Sequence, residues 1–123
     1  MTQPWTLTMP FDRGAVVLVP FPDADLQSYK QRPALVVQSD SLIVDYPQRV
    51  VAEITSKRRI GASRVQVTST SPEGRAMGLP TDSSLVLDRL ATLADSEIIK
   101  SIGKCPPQTM SLVDEALRKV FDI

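Results

Sequence analysis

Gly14-Ala-Val-Val-Leu-Val-Pro-Phe-Pro22, a polar loop through Lys30, and then Gln31-Arg-Pro-Ala-Leu-Val-Val37 form the stretch that decides the fold of this chain. Both apolar runs are rich in β-branched residues, have strand length and are bounded by proline or polar residues. The pattern repeats outward in Arg49-Val-Val-Ala-Glu-Ile-Thr55, Arg64-Val-Gln-Val-Thr68 and Ser84-Leu-Val-Leu-Asp-Arg-Leu-Ala-Thr-Leu93. The last run is long enough to bend or to split, so five or six strands are expected. With no helix-length pattern between them, the strands predict a largely antiparallel sheet curled into a small barrel. Ten prolines cut the chain into short pieces and argue against a helical bundle.

The C-terminal end follows a different period. From Pro107 onward Met110, Val113, Leu117, Val120 and Phe121 draw one apolar stripe, with Asp114, Glu115, Arg118 and Lys119 on other faces, which predicts a helix over 107–121. A shorter helix is expected before it, with Asp95 capping Ser96 to Ile102 and Gly103 as its stop. The fold class is therefore mainly β with a C-terminal helix, an α+β arrangement. A length of 123 residues suits a single domain, 1–123, in which 1–12 forms an N-terminal extension carrying Trp5 and Phe11, both expected to pack an edge.

Composition excludes much chemistry. The chain has no histidine, so histidine-based triads, paired-imidazole nuclease mechanisms and His-ligated metal sites are ruled out. Its one cysteine, Cys105, can close no intrachain disulfide and has no histidine to activate it. Fourteen basic residues balance fourteen acidic ones, so any polyanion site must be local. Met1 to Pro10 contains no basic residue and no long apolar run, and no stretch has the length of a membrane span. A cytoplasmic protein with no membrane partner is the expectation.

Several of these segments, in this order and spacing, resemble the MazF/PemK toxin family. The opening G-x-V-V-x-V-x-F strand, the loop and the R-P-A strand are followed by Glu53-Ile-Thr-Ser56, similar to the family's I-T-S element. Ser84 to Leu93 is similar to its V-x-x-D-x-x-x-T/L block, and Ile102-Gly-Lys104 with the final helix to its usual ending. The resemblance implies an SH3-like barrel of the MazF/PemK/CcdB type. It also implies the toxin of a type II toxin–antitoxin system, a homodimer silenced by a cognate antitoxin. The activity implied is metal-independent, sequence-specific endoribonuclease cleavage of single-stranded RNA, with neither metal nor other cofactor.

In that reaction the ribose 2′-hydroxyl attacks the adjacent phosphate, so a site must stabilise extra negative charge and move protons. Arg32 is the candidate charge stabiliser, because its planar fork pairs with phosphate and stays charged. Thr55 and Ser56 offer hydroxyl donors to the same phosphate, and Arg32 with Thr55 forms the candidate catalytic pair. Glu53, on the same strand face as Thr55, and Asp88 are the carboxylates considered for proton transfer. Asp88 matches an aspartate that plasmid-borne relatives place in their site. Their arginine two residues earlier is Val86 here, and the histidine of their first loop is absent. Lys57-Arg58-Arg59, joined by Arg64, forms a local basic rim for RNA phosphates. Phe21 and Tyr29 are the only aromatic side chains near the first loop for base contact.

Each residue also has a plainer reading. Arg32 could be a strand-start arginine paired with a surface carboxylate, Thr55 a strand threonine, Ser56 a turn cap, Lys57 and Arg58 a solvated loop, and Phe21 a core residue. Two rival functions follow from the same barrel: a non-catalytic CcdB-like toxin that binds gyrase, and a degenerate member that only engages antitoxin or its operator complex. For the dimer, the loops 21–30 and 57–62 are expected to line a shared groove.

Overall fold

The computed structural model describes residues 11–22, 25, 27 and 29–123. Among them the order is β1 (Ala15–Pro22), β2 (Tyr29–Val36), β3 (Gln48–Thr55), β4 (Arg64–Val67), α1 (Pro72–Ala76), β5 (Ser83–Ala94), β6 (Lys100–Lys104) and α2 (Pro107–Phe121), with a 3-10 turn at Asp95–Glu97. The strands form one antiparallel sheet in the order β4-β5-β3-β2-β1-β6. The expected barrel is thus an open half-barrel, with β4 and β6 as its edges. Trp5 lies outside the described residues.

The central strands read as continuous apolar runs because both of their faces are buried. On one face Val16, Leu35, Ala52, Ile54, Leu85 and Leu87 pack with Val113 and Ala116 of α2 and with Met77. On the other face Val17, Val19, Phe21, Ala34, Val36 and Val51 pack with Leu93 and Ile98. Burying each large aliphatic side chain stabilises the fold by about 1.5–3 kcal/mol, so neither face is dispensable. Phe11 packs on the second cluster. Its carbonyl accepts a 3.1 Å hydrogen bond from Nε of Arg49 on the central strand β3, so Phe11 covers a sheet face rather than the expected edge.

Four expectations need correction. Ser96 to Ile102 is not a helix: a 3-10 turn gives way to β6, which pairs along β1 from Ala15 opposite Lys104 to Leu18 opposite Lys100. The unpaired backbone edge of β1 outweighs a marginal short helix. Gly103 is accordingly not a helix stop. A Cβ there would meet the Met77 carbonyl carbon at 2.3 Å, so glycine is what lets β6 approach the end of α1. Second, β2 starts at Tyr29, which puts Lys30 in the strand rather than in the loop. Third, of the expected stripe only Phe121 departs, at 54% exposed; Val113 is buried, Met110, Leu117 and Val120 pack partly buried against the core, and Thr109 and Ala116 join that face. The last concerns α1, which periodicity did not reveal because it spans little more than one turn. Its start is nevertheless encoded: Ser71 Oγ accepts the Gly74 amide at 3.1 Å, and Pro72 occupies the first turn.

The long fifth strand stays in one piece but bends. Ala52 faces Leu90 while the next residue of β3, Glu53, faces Val86, so Leu87, Asp88 and Arg89 bulge out of the β3 pairing. That slip decides where two charged side chains of the site end up.

Candidate functional site

Arg32 and Thr55 meet because β2 and β3 run antiparallel. Their ladder pairs Leu35 with Ala52 and ends with Ala34 opposite Glu53, two residues short of Arg32 and Thr55, which leaves both at the same end of the paired strands. Both line a groove of about 370 Å³, together with Lys30 from β2, Ser56 and Lys57 past the end of β3, and Thr81 and Ser83 at the entrance to β5. Three cations and four hydroxyls therefore converge. None of the described residues lining the groove is acidic. Three cationic side chains among the described lining residues make the groove a candidate anion site.

The two hydroxyl residues at the strand end divide the work differently from the sequence expectation. Thr55, not Ser56, caps the turn: its Oγ1 accepts the Lys57 amide at 3.2 Å. Because Oγ1 serves as acceptor there, its own O–H is left to donate into the groove. Ser56 is exposed. The basic segment that follows is pinned to the sheet. Ser84 Oγ accepts the Arg59 amide at 3.0 Å and lies 2.7 Å from Gln66 Oε1, to which it donates. The Gln66 amide group donates in turn to the Arg59 carbonyl. Arg58 lines a neighbouring hollow of about 240 Å³ that shares Ser56 and Ser83 with the groove and also carries Asp82, so the two charges there balance.

Three sequence candidates lie elsewhere. Asp88 is held by Arg64 in a two-point pair, Nε to Oδ1 at 3.0 Å and Nη2 to Oδ2 at 3.1 Å. The Arg64 hydrogen bond holds its carboxyl below the ordinary value of 3.8. Asp88 is thus an ionised partner of Arg64 outside the groove, and Arg64 brings no uncompensated charge to the rim. Glu53 shares the face of Thr55 as alternation required, yet it is 4% exposed and its Oε2 lies 2.9 Å from Nη1 of Arg89. Phe21 is a core residue, 1% exposed, and the Arg89 guanidinium stands 5.5 Å from its ring centre. Its face is therefore occupied, and base stacking on it is excluded. Tyr29 opens β2, and its side chain falls outside what the structure describes.

Sequence reasoning missed Lys30, Thr81, Ser83 and Arg89. Lys30 was accessible, since alternation along β2 puts it on the Arg32 face. Arg89 was not, because its placement depends on the bulge. Among the described residues no group of three or more His, Cys, Asp or Glu side chains gathers to hold a metal ion, and no helix is long and apolar enough to cross a membrane. Cys105 is buried, and burial pushes its thiol up to about 11.

A family model described as PemK-like, MazF-like toxin of type II toxin-antitoxin system matches residues 12–121. The chain is 32% identical over 103 residues to Endoribonuclease MazF6 of Mycobacterium tuberculosis, covering 83% of this chain and 88% of that protein. It is 31% identical over 88 residues to the probable endoribonuclease MazF of Mycolicibacterium smegmatis, covering 72% and 77% respectively. Among solved structures, Mycobacterium tuberculosis toxin MazF-mt6 superposes with a TM-score of 0.69 at 22% identity, over 89% of this chain and 97% of that one. An endoribonuclease in complex with its cognate antitoxin, from a mycobacterial species, superposes with a TM-score of 0.70 at 21% identity, over 91% and 95%.

Proposed function

Since this chain belongs to the PemK-like, MazF-like toxin family of type II toxin–antitoxin systems, we infer that it is an endoribonuclease whose cleavage site is the groove of Arg32 and Thr55. The observation that carries this reading is the meeting of those two side chains in a groove whose described lining also holds Lys30 and Lys57. When the ribose 2′-oxygen attacks, the phosphoryl oxygens gain negative charge. The Arg32 guanidinium and the Thr55 hydroxyl are donors fixed in advance for that charge. The attacking 2′-hydroxyl gives up a proton, the 5′-oxygen leaves and takes one, and the products are a cyclic phosphate and a 5′-hydroxyl end.

Ser56, Lys57 and Arg58 extend the site along the RNA backbone. Each contact of this kind releases counterions and makes binding weaken as salt rises. The chain acts as one domain with 1–12 as an extension, works as a homodimer in the cytoplasm, takes single-stranded RNA as substrate and is silenced by a cognate antitoxin. The test is to incubate the purified protein with mixed-sequence RNA, sequence the cut ends and assay them for 5′-hydroxyl termini. Cuts at a short recurring sequence with those termini are expected, and intact RNA in the presence of folded protein overturns the reading.

A further inference from the structure

The hollow beside the groove differs from it in charge. The sheet order β4-β5-β3-β2 and antiparallel pairing bring the start of β2, the end of β3, the start of β5 and the end of β4 to one end of the sheet. The groove of Arg32 and Thr55 covers the first three of these strand ends. The hollow of Arg58 and Asp82 continues over the last two and shares Ser56 and Ser83 with it. Ser84 joins them, opposite Thr55 on one side and Gln66 on the other. Neighbouring strands are about 4.8 Å apart. The hollow therefore opens one to two strand spacings from Thr55, within reach of a base on a nucleotide that flanks a phosphate in the groove.

Its polar groups divide into committed and open ones. The Ser84 hydroxyl and the Gln66 amide are engaged with each other and with the Arg59 backbone, so they form a fixed wall. Asp82 is held but keeps capacity. Its Oδ1 accepts the Ser69 amide at 2.8 Å and the Ser69 hydroxyl at 3.0 Å, bonds that orient the carboxylate and keep it below the ordinary value of 3.8. A carboxylate has about four acceptor sites, so two remain. Ser83 Oγ donates to the Thr81 carbonyl at 2.9 Å and retains its lone pairs. Among the described residues no hydrogen bond or ion pair engages the Arg58 guanidinium, and Arg58 and Asp82 are not paired with each other.

Balanced charge makes the hollow a poor phosphate site, but it matches the edge of a base. Guanine presents two donors side by side, N1–H and N2–H, to the two oxygens of a carboxylate, and its O6 and N7 accept from an arginine. Adenine, cytosine and uracil each carry an acceptor next to the donor, and a carboxylate repels that acceptor. At about 240 Å³ the hollow falls below the range of about 300–1,000 Å³ that holds drug-sized molecules, a scale suited to one base. We propose that the hollow is the specificity subsite and takes a guanine next to the scissile phosphate, with Asp82 on its base-pairing edge and Arg58 on O6 or N7. This rests on the reading of the Arg32 and Thr55 groove as the cleavage site.

The experiment sequences the ends cut from mixed-sequence RNA by the full chain, where guanosine should be enriched within one nucleotide of the cut. Single-turnover kcat/KM is then compared on one short RNA with guanosine at that position and on copies with inosine or adenosine there. Inosine lacks only the N2 amino group and should lose about fivefold or more; adenosine should lose about tenfold to a hundredfold, the scale of one two-point base contact. Asp82→Asn keeps an oxygen for Ser69 but turns the other into a donor. It should shrink the preference for guanosine over adenosine to less than about threefold, and Arg58→Gln should lower it by about threefold or more. Thermal unfolding of the same preparations confirms that both are folded.

Cut ends with no guanosine preference beside the cleaved bond overturn the proposal and leave the groove reading intact. So does a preference unchanged in Asp82→Asn or in Arg58→Gln. RNA left whole by the folded parent protein overturns both. If Asp82→Asn does not fold, Arg58→Gln and the inosine RNA still decide, since equal cleavage of inosine and guanosine copies means that the N2 amino group meets no carboxylate.

Discussion

Nη1 of Arg89 lies 2.9 Å from Oε2 of Glu53, joining the bulge of β5 to the strand that ends in Thr55. This pair changes how the charges of the site are read. Both carboxylates that sequence suggested for proton transfer, Glu53 and Asp88, have an arginine as partner, Arg89 and Arg64 respectively. Neither lines the groove. What the groove offers is charge stabilisation by cations and hydroxyls. Val86, where plasmid-borne relatives carry an arginine, faces Glu53 across β3 and β5, and Arg89 supplies a guanidinium to that same carboxylate from three residues further on.

Arg32→Ala should lower the single-turnover cleavage rate by about 10²-fold or more, the scale of losing one pre-organised donor to a developing oxyanion. Arg32→Lys keeps the charge without the two-point fork and should recover RNA affinity better than rate. Thr55→Val should also slow cleavage while keeping shape, though it frees the Lys57 amide that Thr55 accepts. An unchanged rate in Arg32→Ala, measured beside thermal unfolding of the same preparation, removes Arg32 from the site.

Cleavage should continue in EDTA. With no histidine in the sequence and Cys105 buried, a metal would have to be held by carboxylates and carbonyls alone. Activity lost on chelation and restored by magnesium or manganese overturns the arginine-and-hydroxyl mechanism.

Asp88→Asn should lower stability at pH 7 by no more than about 1 kcal/mol, because both partners of the Arg64 pair are partly exposed. The folded pKa of Asp88 lies below its ordinary 3.8, chiefly through the Arg64 hydrogen bond. The contribution is therefore full above that ordinary value and is lost as pH falls through the lower folded one. Urea unfolding of both proteins should show a gap at pH 7 that closes on acidification. A gap that widens in acid contradicts the sign.

Cys105 should resist iodoacetamide at pH 8 in the folded protein and react readily in urea. Burial raises its thiol to about 11, against a smaller opposing effect of the Arg13 charge, so little thiolate exists at that pH. Mass spectrometry of the native protein after alkylation checks this, and rapid native labelling would show that the site opens.

Gly103→Ala should destabilise the protein by about 3 kcal/mol or more. The added Cβ would lie 2.3 Å from the Met77 carbonyl carbon and 2.6 Å from the Ala76 oxygen, and these are backbone atoms with little room to yield. Denaturant unfolding measures the loss. A change below about 1 kcal/mol would mean that α1 shifts freely against β6.

The parts of the molecule that sequence revealed are those governed by local pattern. β-Branched runs marked the strands, an apolar stripe marked α2, and strand alternation put Glu53 and Thr55 on one face. Arg32, Thr55, Ser56 and Lys57 do share a groove. What was missed depends on partners distant in sequence. Asp95, Ile98, Ile102 and Gly103 imitate a capped short helix, and only the open edge of β1 turns Lys100–Lys104 into a strand. The position of Arg89 is invisible for a similar reason: strict alternation cannot foresee a register slip, and the slip brings Arg89 onto Glu53.

The pairing of β1 with β6 makes the sheet depend on segments far apart in the chain. Among the described residues the first strand in sequence is flanked in the sheet by the last, with Ala15 opposite Lys104 and the Cys105 amide on the Gly14 carbonyl. A nascent chain halted before Lys100 has Arg32 and Thr55 already translated but lacks the strand that closes β1 and the helix that covers Val16, Leu35 and Ile54. Contacts so far apart in sequence form late and slowly. A chain cut before Lys100 thus has the β1 edge open and the core face of Val16, Leu35 and Ile54 uncovered, a template for strand pairing with other chains.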